Sequence, residues 1–217
     1  MTVNVDALEA ADLERAVALH LEVLDMEFLS RFGPRFMRAY YDAWASSPGA
    51  IALAATDDDR VAGVLLGAID PAAHVRAMVR EHGVQLALRM LGAALTRPAL
   101  ARDLLVTRGL RYARGLGRLL LSRLRRADRA TPEPGGPAIG EITHVLVDPS
   151  HQGRGVGRAL IEGAIARARA AGLDELVLVT PPDLAARHFY DALGWVSEGS
   201  ITSRSGERFL RYRYPLH

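Results

Sequence analysis

Three glycines at alternate positions, Gly153, Gly155 and Gly157, separate a strand pattern from a helix pattern, with Arg154 and Arg158 set among them. Glycine lets a backbone approach a ligand closely, and the free N–H groups at a helix start attract phosphate oxygens. The helix dipole and the two guanidinium groups reinforce that attraction. On physics alone, this is an anion site for a phosphorylated cofactor. A Walker loop is excluded, because no Gly-Lys-Ser/Thr follows. The G-x-G-x-x-G dinucleotide fingerprint also fails, since Arg158 and Leu160 stand where its last glycine belongs.

The elements that must position this loop follow from periodicity. Residues 142–147 read as the strand that enters it, and 156–170 as the helix that leaves it. That helix turns Val156, Ala159, Leu160, Ala164 and Ala168 inward and ends near Gly172. Residues 173–180 form the next strand, and a parallel pair joined through the helix is the natural arrangement. A helix over 182–193 and strands over 195–202 and 208–214 complete the C-terminal half. Upstream, residues 2–7 alternate as a short strand. Asp12 is placed to cap a helix with Leu13, Val17, Leu21 and Leu24 on one face. Pro34 opens a second helix, whose stripe of Phe36, Met37, Tyr40, Tyr41 and Trp44 reads as core. Residues 51–55 and 61–69 are strands around an acidic turn. The whole is a mixed α/β sheet protein, and one domain over 1–217.

Residues 71–137 do not share this rhythm. They read as two or three helices interrupted by Pro98, inserted between adjacent strands and closed by a Pro/Gly-rich loop. All 27 basic residues of the chain are arginine, and the net charge is only +2. Between residues 72 and 130, however, 13 arginines face three acids, a local balance of +10 against −8 elsewhere. Such asymmetry suits an anionic partner or simply a solvated helix face. Nucleic acid is disfavoured, because aromatics beyond Tyr112 are missing from the segment. A membrane surface or a second copy of the chain stays open, and a cap over the acceptor pocket is the expected role.

With 217 residues and 49% apolar content, the chain suffices for one well-buried domain. No run of apolar residues is long enough to span a membrane, and the first residues do not read as a signal peptide. There is no cysteine, so disulfides, thiolate nucleophiles and cysteine metal sites are absent. His20, His74, His82, His144, His151 and His188 lack the short spacing of a zinc site, and no metal is expected. A cytoplasmic location is expected.

The loop, Gln152, Gly153, Arg154, Gly155, Val156 and Gly157, resembles the Q/R-x-x-G-x-G/A acyl-CoA signature of GNAT N-acetyltransferases. The resemblance includes the preceding Val147, Asp148 and Pro149. It continues at Asp183, Ala186, Phe189 and Tyr190, and then at Gly194 and Trp195. It implies the GNAT fold, acetyl-CoA as acyl donor, and direct attack by an amine on the thioester. Gln152, Gly153, Arg154, Gly155, Val156, Gly157 and Arg158 would then hold the cofactor. A bulge in the strand before the loop would free backbone N–H groups, by position those of Leu146 and Val147. Tyr190 matches the residue that protonates the departing thiolate, and Asp183, Ala186 and Tyr190 are counted among the cofactor-binding residues that the resemblance implies. Asp183 departs from the usual asparagine, and as an ionised carboxylate it can only accept. It serves equally as a helix cap.

The amine must lose a proton before it attacks. Glu141 stands where some family members carry a catalytic glutamate, and His144 competes with it, because imidazole titrates nearest neutrality. Three apart on a regular strand, the two would face opposite sides. His151 and His188 read as surface residues. The acceptor is expected to be a small-molecule primary amine. A lysine or N-terminus of a protein, or a non-catalytic acyl-CoA-binding module, are the alternatives.

Overall fold

Among the described residues, seven strands form a single mixed sheet, in the spatial order first, second, third, fourth, fifth, seventh and sixth along the chain. The computed structural model describes residues 3–25, 27–58, 60–103, 136–182, 186–203 and 206–217. The chain runs β1 (Asn4–Ala7), α1 (Leu13–Val23), a 3-10 turn (Ser30–Phe32), α2 (Pro34–Ala45), β2 (Ala50–Asp57), β3 (Arg60–Ala68), α3 (Pro71–Thr96) and α4 (Pro98–Asp103). It continues with β4 (Ile139–Val147), a 3-10 turn (Pro149–His151), α5 (Val156–Ala170), β5 (Glu175–Thr180), α6 (Ala186–Ala192), β6 (Val196–Thr202) and β7 (Arg208–Pro215).

Helices cover both faces, so β3 is buried at every position after Arg60. On one face, α1 and α2 bury Leu19, Phe36, Met37, Tyr41 and Trp44 against Val64, Leu66 and Leu146. On the other, α5 buries Val156, Leu160, Ile161 and Ala164 against Leu53, Leu65 and Ile142. The two helix layers hold the sheet between them. Gly63 sets how closely α5 approaches: a Cβ there would lie 2.8 Å from Val156 Cγ1 and 2.9 Å from the Leu146 carbonyl.

Two irregularities in β4 shape the middle of the sheet. Antiparallel to β3, it pairs His144 with Leu66 and Ile142 with Gly67, which leaves Thr143 as a bulge. Parallel to β5, it pairs only from Ile139 with Glu175 to Ile142 with Leu178. Past Ile142 the two strands part, while β5 stays paired with β7 up to Thr180. The sheet therefore opens between β4 and β5.

Several expectations need correction. Asp12 sits at the start of α1, but its carboxylate accepts from the Glu9 N–H at 3.0 Å rather than from the helix. A cap does form at Asp70, which accepts from the Ala73 N–H at 2.8 Å at the start of α3. The inward face of α5 includes Ile161 and Ile165, with Ala159 only half-buried. The insertion does fall between adjacent strands, because β3 and β4 are paired. Its first helix, α3, folds back on the α1–α2 layer through Met78, Leu86 and Met90. Val75 and Val79 of the same helix are exposed. The remainder of the expected insertion, from residue 104 to the Pro/Gly loop, lies outside the described residues. Among the described residues, no helix is long and apolar enough to cross a membrane.

Candidate active site

The glycine loop has the backbone its sequence requires. Asp148 starts it: its Oδ1 accepts from the Ser150 N–H at 2.8 Å and the Ser150 hydroxyl at 2.6 Å, and its Oδ2 pairs with Arg15. The Ser150 hydroxyl bond, helped by that N–H and the Arg15 guanidinium, holds the Asp148 carboxyl at about 2 despite the opposing desolvation. Gly153 and Gly155 take φ of 73° and 87°, the left-handed region that favours glycine. A Cβ on either would meet nothing within 4 Å, so the space in front of the loop is open.

The first helical bond of α5 runs from the Ala159 N–H to the Gly155 carbonyl at 2.9 Å. The N–H groups of Val156, Gly157 and Arg158 precede it and face the open end. Gln152, Arg154 and Arg158 are exposed there. At Gly157 an added Cβ would lie 3.3 Å from the Phe189 ring, which fixes α6 against the loop. His151, expected at the surface, is only partly exposed, with Nε2 3.6 Å from Asp57 and Nδ1 3.7 Å from Asp148. His188 is exposed as expected.

The opening between β4 and β5 begins beside this loop. The Asp148 N–H donates to the Ala62 carbonyl at 2.8 Å, which sets the parity of the β3–β4 ladder. Backbone groups alternate in direction along a strand. Leu146 therefore directs its N–H toward β3, while Val147 and Val145 direct theirs into the opening. Of the two N–H groups expected to be free, that of Val147 thus points into the opening and that of Leu146 points to β3, with the bulge at Thr143.

Tyr190 lies on α6 with its ring between those of Trp195 and Tyr212, at centroid distances of 5.8 and 5.6 Å. Burial, with the Tyr212 phenol beside it, pushes its hydroxyl up to about 12, so it keeps its proton at neutral pH. Ala186 opens the same helix. Asp183 lies outside the described residues.

The bulge also moves the candidate bases. Ile142 packs toward α5, yet His144 packs with its ring 5.2 Å from that of His20 on α1. Alternation thus slips by one at Thr143, and Glu141 and His144 share the α1–α2 face rather than opposing ones. Burial raises the Glu141 carboxyl above its ordinary value, with Arg211 pulling the other way.

His144 is part of a cluster that spacing along the chain conceals. Its Nε2 is 3.3 Å from Glu27 Oε1, a residue 117 positions away, and its Nδ1 is 3.2 Å from the Thr143 hydroxyl. His20 Nδ1 lies 2.9 Å from the Tyr41 hydroxyl. Glu27 Oε2 comes within 2.8 Å of His20 Nε2, and neither atom completes a hydrogen bond. Burial opposes ionisation of Glu27, but the two imidazoles overcome it and hold its carboxyl at about 2. The one clue in the sequence was His20, a polar residue on the apolar face of α1; Glu27 gave none.

A sequence model described as the Acetyltransferase (GNAT) family matches residues 19–195. The chain belongs to that family. It is 44% identical over 61 residues to a mycothiol acetyltransferase of Thermobispora bispora, a match covering 28% of this chain and 20% of that protein. A mycothiol acetyltransferase of Rhodococcus erythropolis is 40% identical over 65 residues, covering 30% and 22%. The chain thus matches about a fifth of the length of these curated relatives. Among solved structures, yncA of Salmonella typhimurium, determined with its cofactor acetyl-CoA, superposes with a TM-score of 0.58 at 15% identity. That match covers 100% of this chain and 95% of the other, and it concerns the fold.

Proposed function

We propose that this protein is an N-acetyltransferase that moves the acetyl group of acetyl-CoA to a primary amine of a small molecule. The observation that carries this reading is the parting of β4 from β5 after Ile142 and Leu178, next to a helix start with open N–H groups. The gap gives an extended chain such as pantetheine a place to lie, and the N–H groups of Val156, Gly157 and Arg158 meet its phosphates. Arg154 and Arg158 add positive charge, Arg158 with Glu162 3.8 Å away along the helix. The names of the relatives support acetyl transfer.

In this reading the N–H groups of Val145 and Val147 face the thioester and stabilise the oxygen on which charge develops. The amine nitrogen bonds to the carbonyl carbon, the C–S bond breaks, and its electron pair stays on sulfur. Tyr190, still protonated, donates to that sulfur. The amine approaches from the α1–α2 face, where Glu141 and His144 lie. Walls from α1, α2 and α3 on that face favour a small acceptor over a protein chain.

The test is release of free CoA from acetyl-CoA over a panel of small amines and short peptides, with product masses. Acetylated small amines are expected. Products confined to peptides would shift the acceptor to protein. Tight acetyl-CoA binding with no CoA release for any amine would make the chain a binding module.

A further inference from the structure

We infer that His144, backed by Glu27 and His20, is the group that takes the proton from the acceptor amine. The inference rests on the acetyltransferase reading above and assigns its base. Hydrogen-bond bookkeeping carries it. The Thr143 hydroxyl donates to the Leu66 carbonyl at 2.9 Å, so toward His144 Nδ1 it offers a lone pair. The Glu27 carboxylate, toward Nε2, offers only lone pairs. A neutral imidazole has one N–H and satisfies one of these two acceptors. A second proton satisfies both. His20 has no such shortage, because a neutral ring can accept from the Tyr41 hydroxyl at Nδ1 and turn its N–H at Nε2 toward Glu27. The cluster has room for one more proton, which is what a base requires.

Its placement suits the role. His144 lies two residues past Ile142, where β4 leaves β5, and its neighbour Val145 turns its N–H into the opening. His20 is sealed, whereas the side chains of Glu27 and His144 are 30% and 12% exposed. Protons therefore enter and leave through Glu27 and His144. The charged and titratable groups around the pair are His20 from α1, Tyr41 and behind it Tyr40 from α2, and Glu141 along β4. His74 of α3 stands behind Trp44, at a ring distance of 4.4 Å. Both tyrosines are pushed up by burial and stay neutral, so Glu27 supplies the anion that stabilises the imidazolium. An ammonium substrate gives one proton to His144, which passes it through Glu27 to water. His144, emptied of the first proton, takes the nitrogen's second as the amide forms, and Tyr190 recovers from solvent the one it gives to sulfur.

The test uses the full chain with the best amine from the CoA-release panel. His144→Gln is expected to lower kcat by about 100-fold or more, with acetyl-CoA affinity unchanged by calorimetry. Glu27→Gln should lower kcat by roughly ten-fold and move the ascending limb of kcat against pH toward acid, because the imidazolium loses its anion. That limb should stay in place when amines of different basicity are compared. Near-normal kcat in a folded His144→Gln protein, or a limb that follows the amine, would overturn the assignment. So would stoichiometric zinc in the purified protein with activity lost to a chelator, since the three side chains, all within 4.8 Å of one another, would then be metal ligands. Absence of CoA release in the unaltered protein would instead sink the acetyltransferase reading itself.

Discussion

On the α5 side of the sheet, the groups that would meet the donor are backbone N–H groups, set by glycines within one short stretch of chain. On the α1–α2 side, the groups that would meet the acceptor are side chains from α1, the turn after it, α2 and β4. The first arrangement depends on φ angles and a helix terminus, both written locally in residue type. The second depends on tertiary packing that brings Glu27 to His144 across 117 positions. A backbone site recognises what every substrate of the reaction shares, whereas a side-chain site can change from one member of a family to another. In the proposed reading, the cofactor would take one face and acceptor choice the other.

The strongest way to break that division is Gly155→Val. Nothing within 4 Å obstructs the new Cβ, so the fold should survive. The left-handed backbone, however, costs a non-glycine residue roughly 1–2 kcal/mol, and the loop will relax away from φ 87°. Acetyl-CoA affinity should fall by about 100-fold or more, roughly 2.7 kcal/mol. Unchanged affinity by calorimetry would remove the loop from the cofactor site. Tyr190→Phe comes next. It deletes one hydroxyl from a packed ring, so stability and cofactor affinity should hold while turnover drops by roughly one to three orders of magnitude. Wild-type turnover with chemistry rate-limiting would reduce Tyr190 to a packing residue.

The same division explains what could be read from the sequence. The loop, the strand before it and the helix after it were legible, because glycines, a strand pattern and a 3.6-residue period are local signals. The bulge at Thr143, and with it the direction of the N–H groups of β4, was not legible, because it shifts the register without an obvious mark in the hydrophobic alternation. That slip also reversed the expected relation of Glu141 and His144. The aromatic stripe on α2 was rightly read as core, but Tyr41 also reaches His20 within that core. Ion pairs between distant elements leave no periodic trace, so Glu27 stayed hidden.

A third test concerns α3, the described start of the segment expected as a cap, which packs on the α1–α2 layer. Met78 is buried against that layer. Met78→Ala should therefore cost about 2–3 kcal/mol of unfolding free energy, with acetyl-CoA affinity per folded molecule unchanged. Loss of cofactor affinity at full stability would mean that the two faces are coupled, and the division would fail.

The smallest expected effect tests whether the acceptor-side cluster is charged at rest. Glu27 has its carboxyl held at about 2, below the ordinary 4.5. A group lowered on folding contributes stability above its unfolded value, and that contribution is lost as pH falls toward the folded one. The window for Glu27 is thus from about 4.5 down to about 2. At face value the lowering is worth ~3 kcal/mol, and partial exposure of the side chain reduces that to roughly 1–2 kcal/mol. Urea unfolding followed across this window should show the unaltered protein losing that increment. Glu27→Gln should start lower at neutral pH and slope less, because glutamine has no proton to take up. Asp148, also held at about 2, contributes equally to both proteins and cancels in the difference. Parallel curves for the two proteins would show that Glu27 is not held as an anion by His20 and His144, and would leave His144 without the counter-charge that a base at this position needs.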